Sequence, residues 1–134
     1  MKKIFKVYRH ETGNSGGRAG TFYVFEKRNK KDKQFTIELE SKKVLEISYR
    51  DIEPFLGLPS EFIMGKWKLF DLASGLGQEA LSDGEVMDVI VAIEAKKKGY
   101  DAINYGNEEL QVFERFSVDD LEANLEDVLN EIYY

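Results

Sequence analysis

The stretch AIEAKKKGYDAINYGNEELQVF, residues 92–113, predicts the end of a helix followed by a β-hairpin. The lysines at 96–98 suit the C-terminus of a helix, where the helix dipole favours cations, and Gly99 suits the left-handed stop. Two short apolar-rich runs, residues 101–105 and 110–113, then flank a Gly-Asn turn. Such runs around a turn of this kind are typical of two paired antiparallel strands.

The helix that ends at this stretch is predicted to begin near Ser82. Ser82 and Glu85 have the spacing of a capping box, in which a hydroxyl and a carboxylate each bond a backbone amide. The apolar residues that follow recur at helical spacing and share one face: Val86, Val89, Ile90 and Ile93. A second helix is predicted from about Ser117, with one apolar face: Leu121, Leu125, Val128, Leu129 and Ile132.

The N-terminal part of the chain predicts strands. They are expected at residues 4–8, at TFYVFE (21–26), at FTIELE (35–40) and at KVLEIS (43–48). A glycine-rich loop, 11–20, separates the first two, and a lysine-rich turn precedes the third. Residues 49–81, with two prolines and Trp67, predict only short helical or loop segments. These patterns predict an α+β fold, built as a single domain over residues 1–134.

Composition excludes several classes of function. The net charge of −6 and the pI of about 4.9 oppose broad binding to phosphate backbones, so no nucleic-acid partner is expected. No stretch approaches the roughly 20 apolar residues that a membrane span needs, so we expect no membrane association and a cytoplasmic location. The chain has no cysteine and one histidine, His10, which argues against a thiolate or histidine metal site and the usual nucleophilic triads. The glycine-rich loop also lacks the Gly-Lys-Ser/Thr ending of a phosphate-binding loop.

Three short motifs remain as candidates for chemistry. Arg9 lies in VYRHE on the first strand, Tyr23 in GTFYVF on the second, and Glu109 in NEELQVF at the start of the last. With the helix-to-hairpin passage of residues 92–113, they give the chain a resemblance to the ADP-ribosyltransferase-like superfamily, in its small bacterial and phage type. That resemblance implies split antiparallel sheets with flanking helices, and NAD as the substrate that donates ADP-ribose.

The resemblance also implies a role for each residue. A carboxylate, here Glu109, would stabilise the positive charge that grows on the ribose as nicotinamide leaves, as in glycoside cleavage. Arg9 would hold ribose and diphosphate oxygens with its planar donors. Tyr23 would stack on the nicotinamide ring. Thr12 and Asn14, in the loop after the first strand, would add polar contacts to NAD.

Alternatives remain open at each position. His10 replaces Arg9 if the strand register shifts by one residue, because adjacent residues face opposite sides of a sheet. Gln111 lies on the same face as Glu109 and is a second catalytic candidate, alone or together with it. Each residue also has a purely structural alternative to its role in binding or catalysis. Arg9 would be a surface residue and Tyr23 a core residue. Glu109 would then simply begin an exposed strand.

The implied activity is mono-ADP-ribosylation of a protein acceptor, by a phage or mobile-element effector that acts on a host or defence protein. Three departures from the family pattern qualify it. His10 stands where a glycine is usual, a lysine-rich turn replaces a helix after the second strand, and Glu-Leu-Gln replaces the Glu-x-Glu of arginine-modifying members. The alternative is a catalytically inactive domain of this type that acts as a protein-binding inhibitor or adaptor. An unrelated α+β structural protein is the third possibility.

Overall fold

The computed structural model describes residues 1–10, 17–56 and 84–133, and within these ranges the chain forms six strands and three α-helices. The strands are β1 (Lys2–His10), β2 (Thr21–Val24), β3 (Asp32–Glu40), β4 (Val44–Ile47), β5 (Ala102–Tyr105) and β6 (Glu109–Val112). The helices are α1 (Tyr49–Phe55), α2 (Gly84–Lys97) and α3 (Val118–Tyr133), and a short 3-10 turn spans Ser41–Lys43.

All six predicted strands and both long helices are confirmed, which confirms the α+β class. The third strand is longer than predicted: β3 begins at Asp32 because its pairing with β1 continues to the His10–Asp32 pair. Helix α1 occupies the start of the segment predicted to be irregular. Ser82 of the predicted capping box and Trp67 lie outside the described residues.

The six strands form one sheet in the order β3-β1-β2-β6-β5-β4. Neighbouring strands run antiparallel except β4 and β5, which are parallel. The predicted split into separate antiparallel sheets is therefore wrong for the described strands. The physical reason is a single residue pair, Tyr8 with Val24, that joins β1 to β2 and so links the two halves of the sheet.

The sheet is strongly curved between β1 and β4. In a flat sheet β1 and β4 would lie four strand spacings apart, about 19 Å. Instead the Lys3 ammonium of β1 forms an ion pair with the Glu46 carboxylate of β4. The curvature encloses a small apolar cluster contributed by both halves of the sheet: Phe5, Val7, Leu39, Val44, Ala102 and Leu110.

The larger core lies on the other face of the sheet, against α2 and α3. Every predicted core position of α2 is buried, and so are Val91, Ala92 and Ala95, because the helix packs against both the sheet and α3. The helix ends as predicted: Gly99 has a φ of +95°, and the Tyr100 amide bonds the Ala95 carbonyl at 3.0 Å.

Helix α3 carries the predicted apolar face, with Leu121, Leu125, Val128 and Leu129 buried. Its start is capped reciprocally: the Asp120 amide donates to the Ser117 hydroxyl, and the Ser117 amide donates to the Asp120 carboxylate, both at 3.0 Å. The side chain of Ile132 lies outside the described set. No helix in the described ranges is long and apolar enough to cross a membrane.

The predicted hairpin is confirmed by β5 and β6, which pair from Ala102–Val112 to Tyr105–Glu109. Gly106 and Asn107 both have positive φ, +59° and +60°, and the Glu108 amide donates to the Tyr105 carbonyl at 3.0 Å. Residues 105–108 therefore form a tight turn, and Glu108 is one extra residue before the paired Glu109. This turn fixes Glu109 opposite Tyr105 at the end of the ladder.

Candidate functional site

Glu109 lies at the first position of β6, on the helix-bearing face of the sheet. It pairs with Val24 of β2, and Val24 pairs with Tyr8 of β1. Directly opposed residues of antiparallel strands share a face, so Tyr8, Val24 and Glu109 form one row across the sheet. They line a cleft of about 300 Å³ at the joint between the two halves of the sheet. Arg9, Phe22, Arg28, Asn29 and Asp32 complete its lining.

Glu109 is held by a tyrosine that the sequence did not single out. The Tyr49 hydroxyl, at the start of α1, donates a hydrogen bond of 2.6 Å to Oε1 of Glu109. The Tyr49 ring stacks on that of Tyr105, with centroids 4.5 Å apart and planes 7° from parallel. The carboxylate therefore has a defined orientation at the edge of the cleft.

The pKa of Tyr49 is raised well above its ordinary value. Desolvation of the phenol contributes most, followed by the hydrogen bond to Glu109 and the negative charges of Glu109 and Glu108. Arg28 acts in the opposite sense, which places its charge within range of the same hydroxyl. Tyr49 is consequently a protonated hydrogen-bond donor throughout the physiological pH range.

Gln111 lies in the core rather than in the cleft. It is fully buried, and its Oε1 accepts a 2.7 Å bond from the Tyr105 hydroxyl. Its Nε2 donates to the carbonyls of Ala19, at 2.9 Å, and Asp88, at 3.2 Å. Both ends of the amide are thus occupied, and Gln111 ties β6 to α2 and to the segment before β2. Alternation does place it on the face of Glu109, as predicted, but α2 covers that position.

Tyr23 lies on the opposite face of the sheet from Glu109. Its strand partner is Leu110, one residue beyond Glu109, so strand alternation sends the two side chains to different faces. The Tyr23 ring packs against Phe35, with centroids 5.7 Å apart, beside the smaller apolar cluster. Tyr23 therefore packs beside the core, which agrees with the alternative interpretation of Tyr23 as a core residue. The structure does not bring Tyr23 together with Glu109.

Arg9 and Glu109 are both among the residues that line the cleft. Arg9 follows Tyr8 near the end of β1, so strand alternation assigns its side chain to the other face of the sheet from Tyr8 and Glu109. Of the other predicted binding residues, His10 ends β1, but its side chain is not among those described. Thr12 and Asn14 lie outside the described residues. The structure therefore brings together two members of the predicted constellation.

The connection between β2 and β3, residues 25–31, adds Arg28 to the cleft; we call it the cationic turn. The sequence predicted only a lysine-rich turn there. Asp32 is buried and accepts hydrogen bonds from the amides of Arg28, at 2.8 Å, and Asn29, at 3.1 Å. These bonds fold the turn back so that Arg28 and Asn29 contribute to the cleft lining. The neighbouring lysines at 27, 30, 31 and 33 add positive charge around it.

A second pocket, of about 580 Å³, adjoins the first through the Tyr49–Glu109 hydrogen bond. Its lining includes Ser48, Tyr49, Arg50, Tyr105 and Glu108. Tyr49 lines this pocket and Glu109 lines the cleft, so their bond lies where the two meet. Among the described residues there is no cluster of three or more acidic or histidine side chains fit to hold a metal ion.

The sequence did carry a signal for Tyr49. KVLEIS pairs in parallel with the strand of YDAINY, and Ile47 lies opposite Tyr105. Recognising that pairing would have put Tyr49, two residues after Ile47, beside the end of β5. The alternating pattern alone does not show which strands pair.

Comparison of the chain with protein-family models, curated proteins and solved structures found no match. Over its described residues the chain is an α+β domain with one cleft whose lining includes Glu109, Arg9 and Arg28.

Proposed function

We propose that this chain is an ADP-ribosyltransferase-like domain that cleaves NAD and transfers ADP-ribose to a protein acceptor. The observation that carries the proposal is the position of Glu109, at a cleft that Arg9 and Arg28 also line. A cleft lined by a carboxylate and two arginines suits a substrate with a cationic reacting centre and a diphosphate. The motifs around Arg9 and Glu109 and the helix-to-hairpin passage support the same choice.

The chemistry assigned to Glu109 follows from charge. The bond between nicotinamide nitrogen and ribose carbon breaks, and nicotinamide leaves as a neutral base with the bonding electrons. The carboxylate lowers the energy of the oxocarbenium-like transition state and accepts a hydrogen bond from a ribose hydroxyl. The acceptor nucleophile then bonds the same carbon and releases its proton to a base or to solvent.

The binding roles change from those expected on sequence. Arg9 and Arg28 together take the diphosphate oxygens, because both line the cleft. The aromatic wall for nicotinamide falls to Tyr8 and Phe22, which lie on the face of Glu109, instead of Tyr23.

The test is nicotinamide release from NAD, measured beside NAD binding by calorimetry. Glu109→Gln should retain binding within about threefold and lose roughly 100-fold or more in rate, since only the transition state develops the charge that the carboxylate stabilises. Glu114→Gln, an exposed glutamate beyond β6, is the matched control and should keep the rate. Unchanged release by Glu109→Gln would refute the role of Glu109.

The second candidate is an inactive domain that acts as an inhibitor or adaptor by binding a protein. Two observations favour it: Tyr49 already occupies one oxygen of Glu109, and Tyr23 packs away from the cleft. Absence of NAD binding by the unaltered protein would decide for it. If NAD is cleaved, labelled NAD added to a cell lysate, with mass spectrometry, identifies the acceptor. A host or defence protein is the acceptor expected of a phage or mobile-element effector.

A further inference from the structure

The contact between Tyr49 and Glu109 belongs to a continuous series of contacts that reaches the core. Tyr49 bonds Glu109 and stacks on Tyr105, and the Tyr105 hydroxyl bonds Gln111. Gln111 is fully buried and bonds two backbone carbonyls, one of them in α2. The carboxylate at the cleft is thus connected to the buried core through two tyrosines and an amide.

Tyr49 itself remains partly open to solvent, with 48% of its surface exposed, whereas Tyr105 is 5% exposed. Ordering an exposed tyrosine side chain costs conformational entropy, so the side chain is held in one orientation only if its contacts offset that cost. Here the ring is held by stacking from one side, and its hydroxyl is held by a charged acceptor. Hydrogen bonds to charged groups are the stronger kind and fix direction as well as distance.

We propose that Tyr49 is the positioning residue for Glu109. Its hydroxyl holds Oε1 and so turns Oε2 toward the ribose hydroxyl of the substrate. This inference rests on the proposed function, since it gives Tyr49 a role in the same reaction. Tyr49 touches the carboxylate and not the reacting atoms, and Tyr105 with Gln111 supports it from behind.

The charges around Tyr49 are consistent with a permanent donor. The negative charges of Glu109 and Glu108 raise the pKa of Tyr49, and Arg28, which lines the cleft with Glu109, acts in the opposite sense. Asp88 of α2 and Glu109 both act on the stacked Tyr105. Burial, with these negative charges adding to it, raises the pKa of both phenols above the ordinary value, so ionisation of Tyr49 does not switch the site near neutral pH.

The experiment compares kcat and KM for NAD cleavage in Tyr49→Phe with those of the unaltered protein. Phenylalanine keeps the ring that stacks on Tyr105 and removes only the hydroxyl. We expect kcat to fall roughly 10- to 100-fold and KM to stay within about threefold, because the lost bond orients a group that acts in the transition state. Tyr100→Phe, which removes a hydroxyl remote from both pockets, is the matched control and should change neither.

A second readout does not depend on activity. In protein labelled with ¹³C at the glutamate carboxyl, Glu109 is assigned by the resonance that disappears in Glu109→Gln. Tyr49→Phe should move that resonance at neutral pH, and Tyr100→Phe should not. Tyr105→Phe, which keeps the Tyr49 hydroxyl but loses the bond to Gln111, should lower kcat by a smaller factor, roughly threefold. The Tyr105→Phe variant therefore still tests the positioning role if Tyr49→Phe folds poorly.

The outcomes separate the two proposals. If the unaltered protein releases no nicotinamide, the proposed function fails, and the positioning role fails with it. If it is active and Tyr49→Phe keeps its kcat, only the positioning role is overturned. A lower kcat with an unmoved Glu109 resonance would also overturn it, because the effect would not pass through the carboxylate.

Discussion

At the scale of single residues, strand alternation decides what each side chain can do. Glu109 and Leu110 are adjacent, yet one lines a cleft and the other is fully buried in the smaller cluster. Gln111 lies on the same face of the sheet as Glu109 but is covered by α2, so the face of the sheet alone does not predict whether a side chain reaches the cleft. The same rule separates Tyr23 from Glu109, because their strand partners differ by one residue.

Gly20 gives a prediction at this scale. It has a φ of +101°, and a Cβ placed there would lie 2.9 Å from the Val112 carbonyl carbon and overlap its oxygen. Gly20→Ala should therefore lower the free energy of unfolding by at least about 2 kcal/mol, through backbone strain and collision together. Urea denaturation measures the loss.

Gly99→Ala is the matched control for this substitution. Gly99 has a similar φ of +95°, but nothing lies within 4 Å of an added Cβ. It should cost only the strain, about 1–2 kcal/mol. Equal losses for the two variants would show that the contact with Val112 contributes nothing.

At the scale of elements, the ends of helices were the clearest sequence signals. The Lys-Lys-Lys-Gly stop of α2 and the Ser117 start of α3 depend on bonds between near neighbours in the chain, so local sequence determines them. Helix α1 was not anticipated as a site element, because its position depends on the parallel pairing of β4 with a strand more than 50 residues away.

Ser117→Ala tests the cap of α3. The hydroxyl accepts from the Asp120 amide, and its loss should cost about 1 kcal/mol of unfolding free energy, measured by urea denaturation. Ser48→Ala is the control, because the Ser48 hydroxyl donates to the Asp51 side chain and caps no backbone amide of α1. Its cost should be under about 0.5 kcal/mol, and the reverse order would contradict the assigned cap.

At the scale of the whole molecule, the joint between β1 and β2 creates the site. One residue pair connects the two halves of the sheet, and the Lys3–Glu46 ion pair shows how far the halves curve toward one another. The cleft lies at this joint, where Tyr8 and Val24 meet Glu109. A site of this kind depends on which strands pair, which no local pattern in the sequence encodes.

The stability of the whole fold should fall in alkali, and Tyr105 should account for part of the fall. Burial, followed by the negative charges of Asp88 and Glu109, raises the pKa of Tyr105 above its ordinary value of 10.0. Below pH 10 the stabilising effect is complete, because the phenol is protonated in both states. Above it the unfolded chain ionises first, so stability is lost as pH rises toward the folded-state pKa.

Tyr105→Phe checks this by urea denaturation between about pH 10 and pH 11.5. The unfolding free energy of the variant should decline less steeply than that of the unaltered protein, by up to about 1.4 kcal/mol per pH unit. Lysine ionisation contributes equally to both proteins and cancels in the comparison. Parallel declines would show that Tyr105 titrates normally in the folded state.

The sequence by itself determined the α+β class, the six strands, the two long helices and the hairpin that presents Glu109, because periodicity, caps and turn residues act between neighbours in the chain. It also placed Arg9 and Glu109 among the candidate residues. Only the tertiary structure decided that Tyr23 lies on the other face, that Gln111 is enclosed by α2, that Tyr49 bonds Glu109, and that Arg28 lines the same cleft as Glu109. The residues concerned are far apart in the chain, and their positions depend on strand pairing and helix packing, which only the assembled core determines.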